Sequence, residues 1–151
     1  MAVSLELIKQ LRGKTSAGVA DIRSALEEAK GDLKKAEEIL RQKGFEKAAK
    51  KGNRATSAGL IESYIHQGRV GALVEVLCET DFVARTDEFK TLTHEIAMQV
   101  ASMNPKDSSD LLKQEYIRDP SKTIGDLIKE AIAILGENII VARFSRFELG
   151  K

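Results

Sequence analysis

The stretch Leu60-Ile61-Glu62-Ser63-Tyr64-Ile65-His66-Gln67-Gly68-Arg69-Val70-Gly71-Ala72-Leu73-Val74-Glu75-Val76-Leu77-Cys78 decides the fold. Leu60 to Ile65 is apolar and aromatic enough for a strand. His66-Gln67-Gly68-Arg69 has the composition of a turn, and Val70 to Cys78 is a second strand with several β-branched residues. Two strands joined by so short a turn pair antiparallel. Val70, Ala72, Val74 and Val76 share one face of the second strand, while Leu73 and Leu77 lie on the other with Gly71 and Glu75. Apolar residues on both faces predict a strand covered on both sides.

Downstream of the hairpin, Phe89, Leu92, Ile96, Val100 and Met103 recur at helical steps, which predicts a helix over 86–103 capped by Thr86 or Asp87 and ended by Pro105. Residues 106–120 are ambiguous. Ser108-Ser109-Asp110 can cap a short helix through Tyr116, with Asp119-Pro120 breaking the chain. Thr123 with Asp126 has the spacing of a capping box, and the helix it opens ends at Gly136. Asn138 to Leu149 alternates as a last strand, with no indication of its neighbour.

Upstream, three short helices fill Ser4 to Gly44. Ser4 caps the first, the second starts near Gly18 and stops at Gly31, and Asp32 caps the third. Phe45 to Thr56, with Lys47-Ala48-Ala49-Lys50-Lys51-Gly52-Asn53-Arg54, is a basic linker, in part helical. The expected fold is α+β: a three-helix module at 1–44, a linker at 45–56, and at 57–151 a small antiparallel sheet packed on helices.

A chain of 151 residues, 42% hydrophobic and 31% charged, fits one compact domain or a tiny domain plus a small core, and the 5% of aromatics make its interior aliphatic. No apolar run is long enough for a membrane span, and the N-terminus has the pattern of an amphipathic helix rather than a signal peptide. Cytoplasmic residence is the expectation. The net charge of +1 conceals an asymmetry: residues 1–56 carry +5 and residues 57–151 carry −4. Neither value demands a nucleic-acid partner. The lone Cys78 excludes an intrachain disulfide and a Cys-based zinc site, and its apolar surroundings point to a buried, inert thiol.

No phosphate loop or catalytic constellation is present, and no cofactor or metal is expected. Glu75, Glu79 and Asp81 lie close together, but nearby acids more often form a solvated edge than a cation site. The corner Thr80-Asp81-Phe82-Val83 stands out. An aromatic between a strand and a helix is either a core plug or an exposed wedge. Burial of Phe82, with a stabilisation of roughly 1.5–3 kcal/mol, favours the plug, whereas the adjacent Asp81 and the frequency of binding residues in such corners favour the wedge.

Glu79-Thr80-Asp81-Phe82-Val83-Ala84-Arg85, followed by Glu88-Phe89, resembles a signature of the elongation factor Ts family. Leu11-Arg12, Thr15, Ala17-Gly18, Asp21 and Ala25-Leu26 resemble a second, and Lys47 to Lys51 resembles the family's linker. Pro120 to Thr123, Gly136 to Ile139 and Arg146 to Glu148 are similar to further family segments, so the resemblance covers 4–104 and 119–151. It implies a ubiquitin-associated-like N-terminal module and a dimerisation core, without covalent chemistry. The implied activity is guanine nucleotide exchange: binding of elongation factor Tu in its GDP form and release of GDP by displacement of the magnesium ion. The implied partner contacts are Thr80, Asp81, Phe82 and Val83 at the magnesium side, Arg12, Val19 and Ala20 on the module, and His66 at the hairpin tip.

The chain departs from the family where Val19-Ala20 replace a common pair of Met residues, where Ser16 replaces a Gly, and in length. Residues 105–119 leave no room for the helical hairpin of longer members, and only one half-core is present. A homodimer supplying the second half-core is therefore expected. The competing readings are a non-catalytic adaptor, a nucleic-acid binder using the basic linker, and an enzyme using Cys78.

Overall fold

The computed structural model describes residues 3–15 and 17–151, so the substitution at Ser16 lies outside the described residues. The chain opens with α1 (Leu5–Thr15), α2 (Val19–Glu28) and α3 (Leu33–Lys50). Each boundary has a local cause. The Ser4 hydroxyl accepts from the Leu7 N–H at 3.2 Å, Gly31 takes φ 84° after α2, and Asp32 accepts from the N–H groups of Lys34 and Lys35. Leu11, Ile22, Leu26 and Ala36 are fully buried in a small core of their own.

α3 does not stop at Gly44. It continues to Lys50 and takes the first half of the expected linker with it. A glycine inside a helix costs only about 1 kcal/mol, and here the missing side chain has a use. A Cβ on Gly44 would stand 3.2 Å from the Cβ of Ala133, on the helix α7 (Ile124–Leu135) that α3 crosses. Leu40 of α3 lies in the module's core and Ala48 lies in the second core, so one helix belongs to both. Arg41 reinforces the crossing, 3.5 Å from Asp126 and 3.7 Å from Glu130.

The second core is built on β1 (Ala58–His66), β2 (Val70–Cys78) and β5 (Ile140–Glu148), an antiparallel sheet in the order β1-β2-β5. Ala58 pairs with Cys78 and His66 with Val70 across the hairpin, and β5 runs along the free edge of β2 with a bulge at Glu75/Val76. The last strand thus closes onto the hairpin's second strand. α4 (Asp81–Ala84) and α5 (Asp87–Met103) follow β2, and Phe89, Ile96 and Val100 of α5 pack fully buried with Val74 and Val76.

Only one face of β2 is covered. Val74, Val76 and Cys78 are buried, but Leu73 on the other face is half exposed, and Ile61, Ile65 and Phe147 beside it are more exposed still. The expectation of cover on both sides therefore fails within a single chain. From residues 105–123, Leu111 and Tyr116 join the core on the covered face. α6 (Ser108–Lys113) is capped by Asp107, and a short ribbon of β3 (Glu115–Tyr116) and β4 (Asp119–Thr123) leads into α7. Asp119-Pro120 begins a strand instead of ending structure. Proline is tolerated in so short an edge strand, and the buried Gln99 side chain bonds to the Glu115 carbonyl and the Ile117 N–H on either side of Tyr116. The capping box of Thr123 and Asp126 forms, and Gly136 ends α7 at φ 77°. Among the described residues no helix is long and apolar enough to cross a membrane.

Candidate partner-binding site

The corner between β2 and α5 is a single helical turn, too short to hold itself together. Helix nucleation is unfavourable until several turns form, so α4 depends on its caps. The Thr80 hydroxyl accepts from the Val83 N–H at 3.4 Å at its start. At its end the Thr86 hydroxyl donates to the Val83 carbonyl at 2.7 Å and accepts from the Phe89 N–H at 3.2 Å, starting α5.

Held this way, the turn sorts its side chains sharply. Val83 and Ala84 point into the core at 8% and 3% exposure, while Phe82 is 83% exposed and Asp81 lies beside it in solvent. The core plug is real, but the plug is Val83. Phe82 is the wedge. Of the four corner residues singled out in the sequence, Asp81 and Phe82 present themselves outward, Thr80 is half-buried as a cap, and Val83 anchors the turn from beneath.

A second segment grips the corner from the far end of the chain. Glu137 Oε1 accepts from the N–H groups of Glu79 at 3.1 Å and Thr80 at 2.9 Å, and Glu137 Oε2 accepts from the Thr80 hydroxyl at 2.7 Å. In return Glu79 accepts from the Asn138 N–H at 2.6 Å. The Asn138 side chain donates to the carbonyls of Gly52 and Arg54, and Arg54 lies 3.7 Å from Glu79. Glu137, Asn138 and Thr86 carried no functional signal of their own in the sequence, and Arg54 figured only as part of the basic linker. Only membership of a segment similar to the family marked Glu137 and Asn138.

Cys78 is buried beneath this corner, its Sγ 3.2 Å from the Thr80 carbonyl. Burial, with the negative charge of Glu137 adding to it, pushes the thiol pKa up, the opposite of what a nucleophile needs. Glu75 is paired with Arg143 at 3.3 Å and Glu79 is taken up by Asn138, so the acids near the corner do not converge. Among the described residues no group of three or more His, Cys, Asp or Glu side chains is placed to hold a metal.

The other predicted contacts lie elsewhere. Arg12 on α1, with Val19 and Ala20 on α2, is exposed on the helical module. His66 is exposed at the end of β1, where the Tyr64 hydroxyl approaches its Nδ1 at 3.0 Å. The corner adjoins Cys78 at the opposite end of the hairpin. At about 3.4 Å per residue along the strand, the tip and the corner stand roughly 27 Å apart. They are separate exposed ends of one strand ladder.

The profile of the family described as Elongation factor TS matches residues 79–151, from the corner through β5. Elongation factor Ts of Coprothermobacter proteolyticus is 46% identical, with both chains covered in full. The chain belongs to the elongation factor Ts family. The family proteins of Thermoanaerobacter sp. and Thermotoga neapolitana are each 44% identical, with at least 96% of either chain covered. The alignment with the Coprothermobacter protein spans 197 positions, 46 more than the 151 residues here, so even this elongation factor Ts carries segments that the present family member lacks.

Proposed function

We propose that this chain is a guanine nucleotide exchange factor that binds elongation factor Tu in its GDP form and releases GDP by displacing the magnesium ion. Asp81 and Phe82 enter the partner on the magnesium side, and Thr80 and Val83 set their position. The module at 1–44 docks through Arg12, Val19 and Ala20, and the core at 57–151 adds His66 at the hairpin tip. The observation that carries this is the exposure of Phe82 at 83%, directly beside a buried Val83, on a turn fixed at both ends. A solvent-exposed phenyl ring has no stabilising role in the free chain, and an acid beside it suits a site that holds a cation.

The energetics follow from linkage. The factor weakens GDP only by as much as it prefers the nucleotide-free partner over the GDP-bound one. To carry a population from 1:99 to 99:1 that preference must reach roughly 5.5 kcal/mol. Nothing in the cycle requires bond chemistry from this chain. The place of action is the cytoplasm, where translation runs.

The exchange-competent form is a homodimer joined through the open sheet face. Ile61, Ile65 and Phe147 are 64%, 69% and 77% exposed there, around the Glu75–Arg143 pair. An open sheet face with several exposed large apolar side chains and a charged pair among them is the kind of surface an interface covers.

Release of a fluorescent GDP from elongation factor Tu, with and without this chain, tests the function. Release that does not accelerate overturns it. Sedimentation tests the dimer: the expected result is a dimer at micromolar concentration that Phe147→Glu converts to monomer, and a monomeric parent chain removes that part.

A further inference from the structure

We infer that Glu137 is a positioning residue for exchange: its carboxylate fixes the direction in which Asp81 and Phe82 project, and it acts on the partner only through them. This rests on the wedge function proposed above.

One side chain receives three hydrogen bonds from two consecutive residues, Glu79 and Thr80, that immediately precede the wedge. Two successive backbone N–H groups converging on one oxygen form a small anion nest, and bonds to an ionised acceptor are about twice as strong as neutral ones. The third bond settles the cap. The Thr80 hydroxyl has one hydrogen, and Glu137 Oε2 takes it at 2.7 Å. That leaves an oxygen lone pair for the Val83 N–H at the start of α4. Without the carboxylate the hydroxyl is free to rotate, and a four-residue helix loses the cap that orients it.

Glu137 is itself well placed to hold a direction. It follows Gly136, whose left-handed backbone ends α7, and precedes the pinned Asn138 and the buried Ile139. The two segments exchange carboxylates for amides: Glu137 takes the N–H groups of Glu79 and Thr80, and Glu79 takes that of Asn138. The core contacts of Val83, Ala84 and Ile139 already hold the segments together. The carboxylate adds orientation to that attachment.

Glu137→Gln is the informative change. It keeps the shape and an acceptor oxygen, but it places an NH2 group or a single oxygen where two acceptor oxygens are needed. The test is stopped-flow release of fluorescent GDP from elongation factor Tu across a range of factor concentrations. Four forms are compared: the parent chain, Glu137→Gln, Phe82→Ala and the double variant, each checked for folding by its thermal melt. The expected result is a maximal release rate lowered about tenfold by Glu137→Gln with the half-saturating concentration little changed, since the lesion is one of geometry at the reacting end. The double variant should lose less than the product of the two single losses, because Phe82→Ala has already removed the larger of the two groups that Glu137 aims and only Asp81 is left to misdirect. A structural role predicts instead that the two losses multiply, and that result overturns the inference. So does a Glu137→Gln form that releases GDP at the parent rate while Phe82→Ala does not. If Phe82→Ala itself keeps the parent rate, the wedge falls and this inference falls with it. Thr80→Val, which removes the hydroxyl while keeping the side chain's shape, provides a second route. It should lower the maximal rate in the same way, and Thr80→Ser should restore it.

Discussion

The corner at 79–86 and the hairpin tip at 66–69 are both exposed ends of the same strand ladder, yet they are held very differently. The corner is fixed by threonine caps on either side, by Glu137 from a distant segment, and by Val83 and Ala84 buried beneath it. The tip is held by its own turn, by the approach of Tyr64 to His66, and by the bond from the Leu149 N–H to the Arg69 carbonyl. On the proposed function the difference corresponds to two tasks. A group that forces a rearrangement in a partner must not yield, because any motion it absorbs is subtracted from the work it does. A group that only adds contact area can adapt as it binds.

Phe82→Ala breaks the comparison most directly. Its effect on the folded chain should be small, within about 0.5 kcal/mol, since the ring touches little, while stimulated GDP release should fall about a hundredfold, measured by loss of fluorescent nucleotide. Val83→Ala reverses the pattern next door. Removing two buried methyl groups should cost about 2 kcal/mol in denaturant unfolding, and release at a temperature where the variant stays folded should fall much less than for Phe82→Ala. Equal losses of release from both would mean that the corner acts by its mere presence and not by its exposed ring.

The part of this division that the sequence showed was the part with a local cause. Asp32, Thr86 and the Thr123–Asp126 pair cap helices within three residues of themselves, and the alternation of Val70 to Val76 grouped the residues that share the buried face of β2. The rest depends on what comes close from far away. Gly44 looked like a helix stop because nothing nearby announced Ala133, and the second face of β2 looked covered because Leu73 and Leu77 suit either a core or an interface. Asp119-Pro120 looked like a break because the support for β3 comes from Gln99 on α5. Phe82 was the hardest. Burial energetics favour a phenyl group over a valine for any core position, and only a four-residue turn with Val83 facing inward settles which of two neighbours goes in. The resemblance to the family favoured the wedge before any geometry could.

At the tip, His66→Ala should weaken binding to elongation factor Tu by a few-fold, about 1 kcal/mol, as for a contact at the edge of an interface. The maximal release rate should stay the same, because the histidine stands roughly 27 Å from the corner along strands that rise about 3.4 Å per residue. Titration of release against factor concentration separates the two effects. A drop in maximal rate with unchanged half-saturation would place the tip in the exchange step and erase the distinction.

The smallest expected effect is a gain. The tip joins the paired residues His66 and Val70 through three residues, and the first two have positive φ, 52° at Gln67 and 69° at Gly68. Positive φ is the left-handed region, which residues other than Gly, Asn and Asp adopt at a cost. Gln67 therefore holds a left-handed conformation that asparagine adopts at less cost, since its short amide bonds to the local backbone. Gln67→Asn should stabilise the chain by about 0.5 kcal/mol, a shift of roughly 1–2 °C in the thermal midpoint. Release of GDP should be unchanged at saturation. Stiffening the tip alters only how fast and how tightly that end docks, so an increase in the maximal rate would show that motion at the tip limits what the corner does.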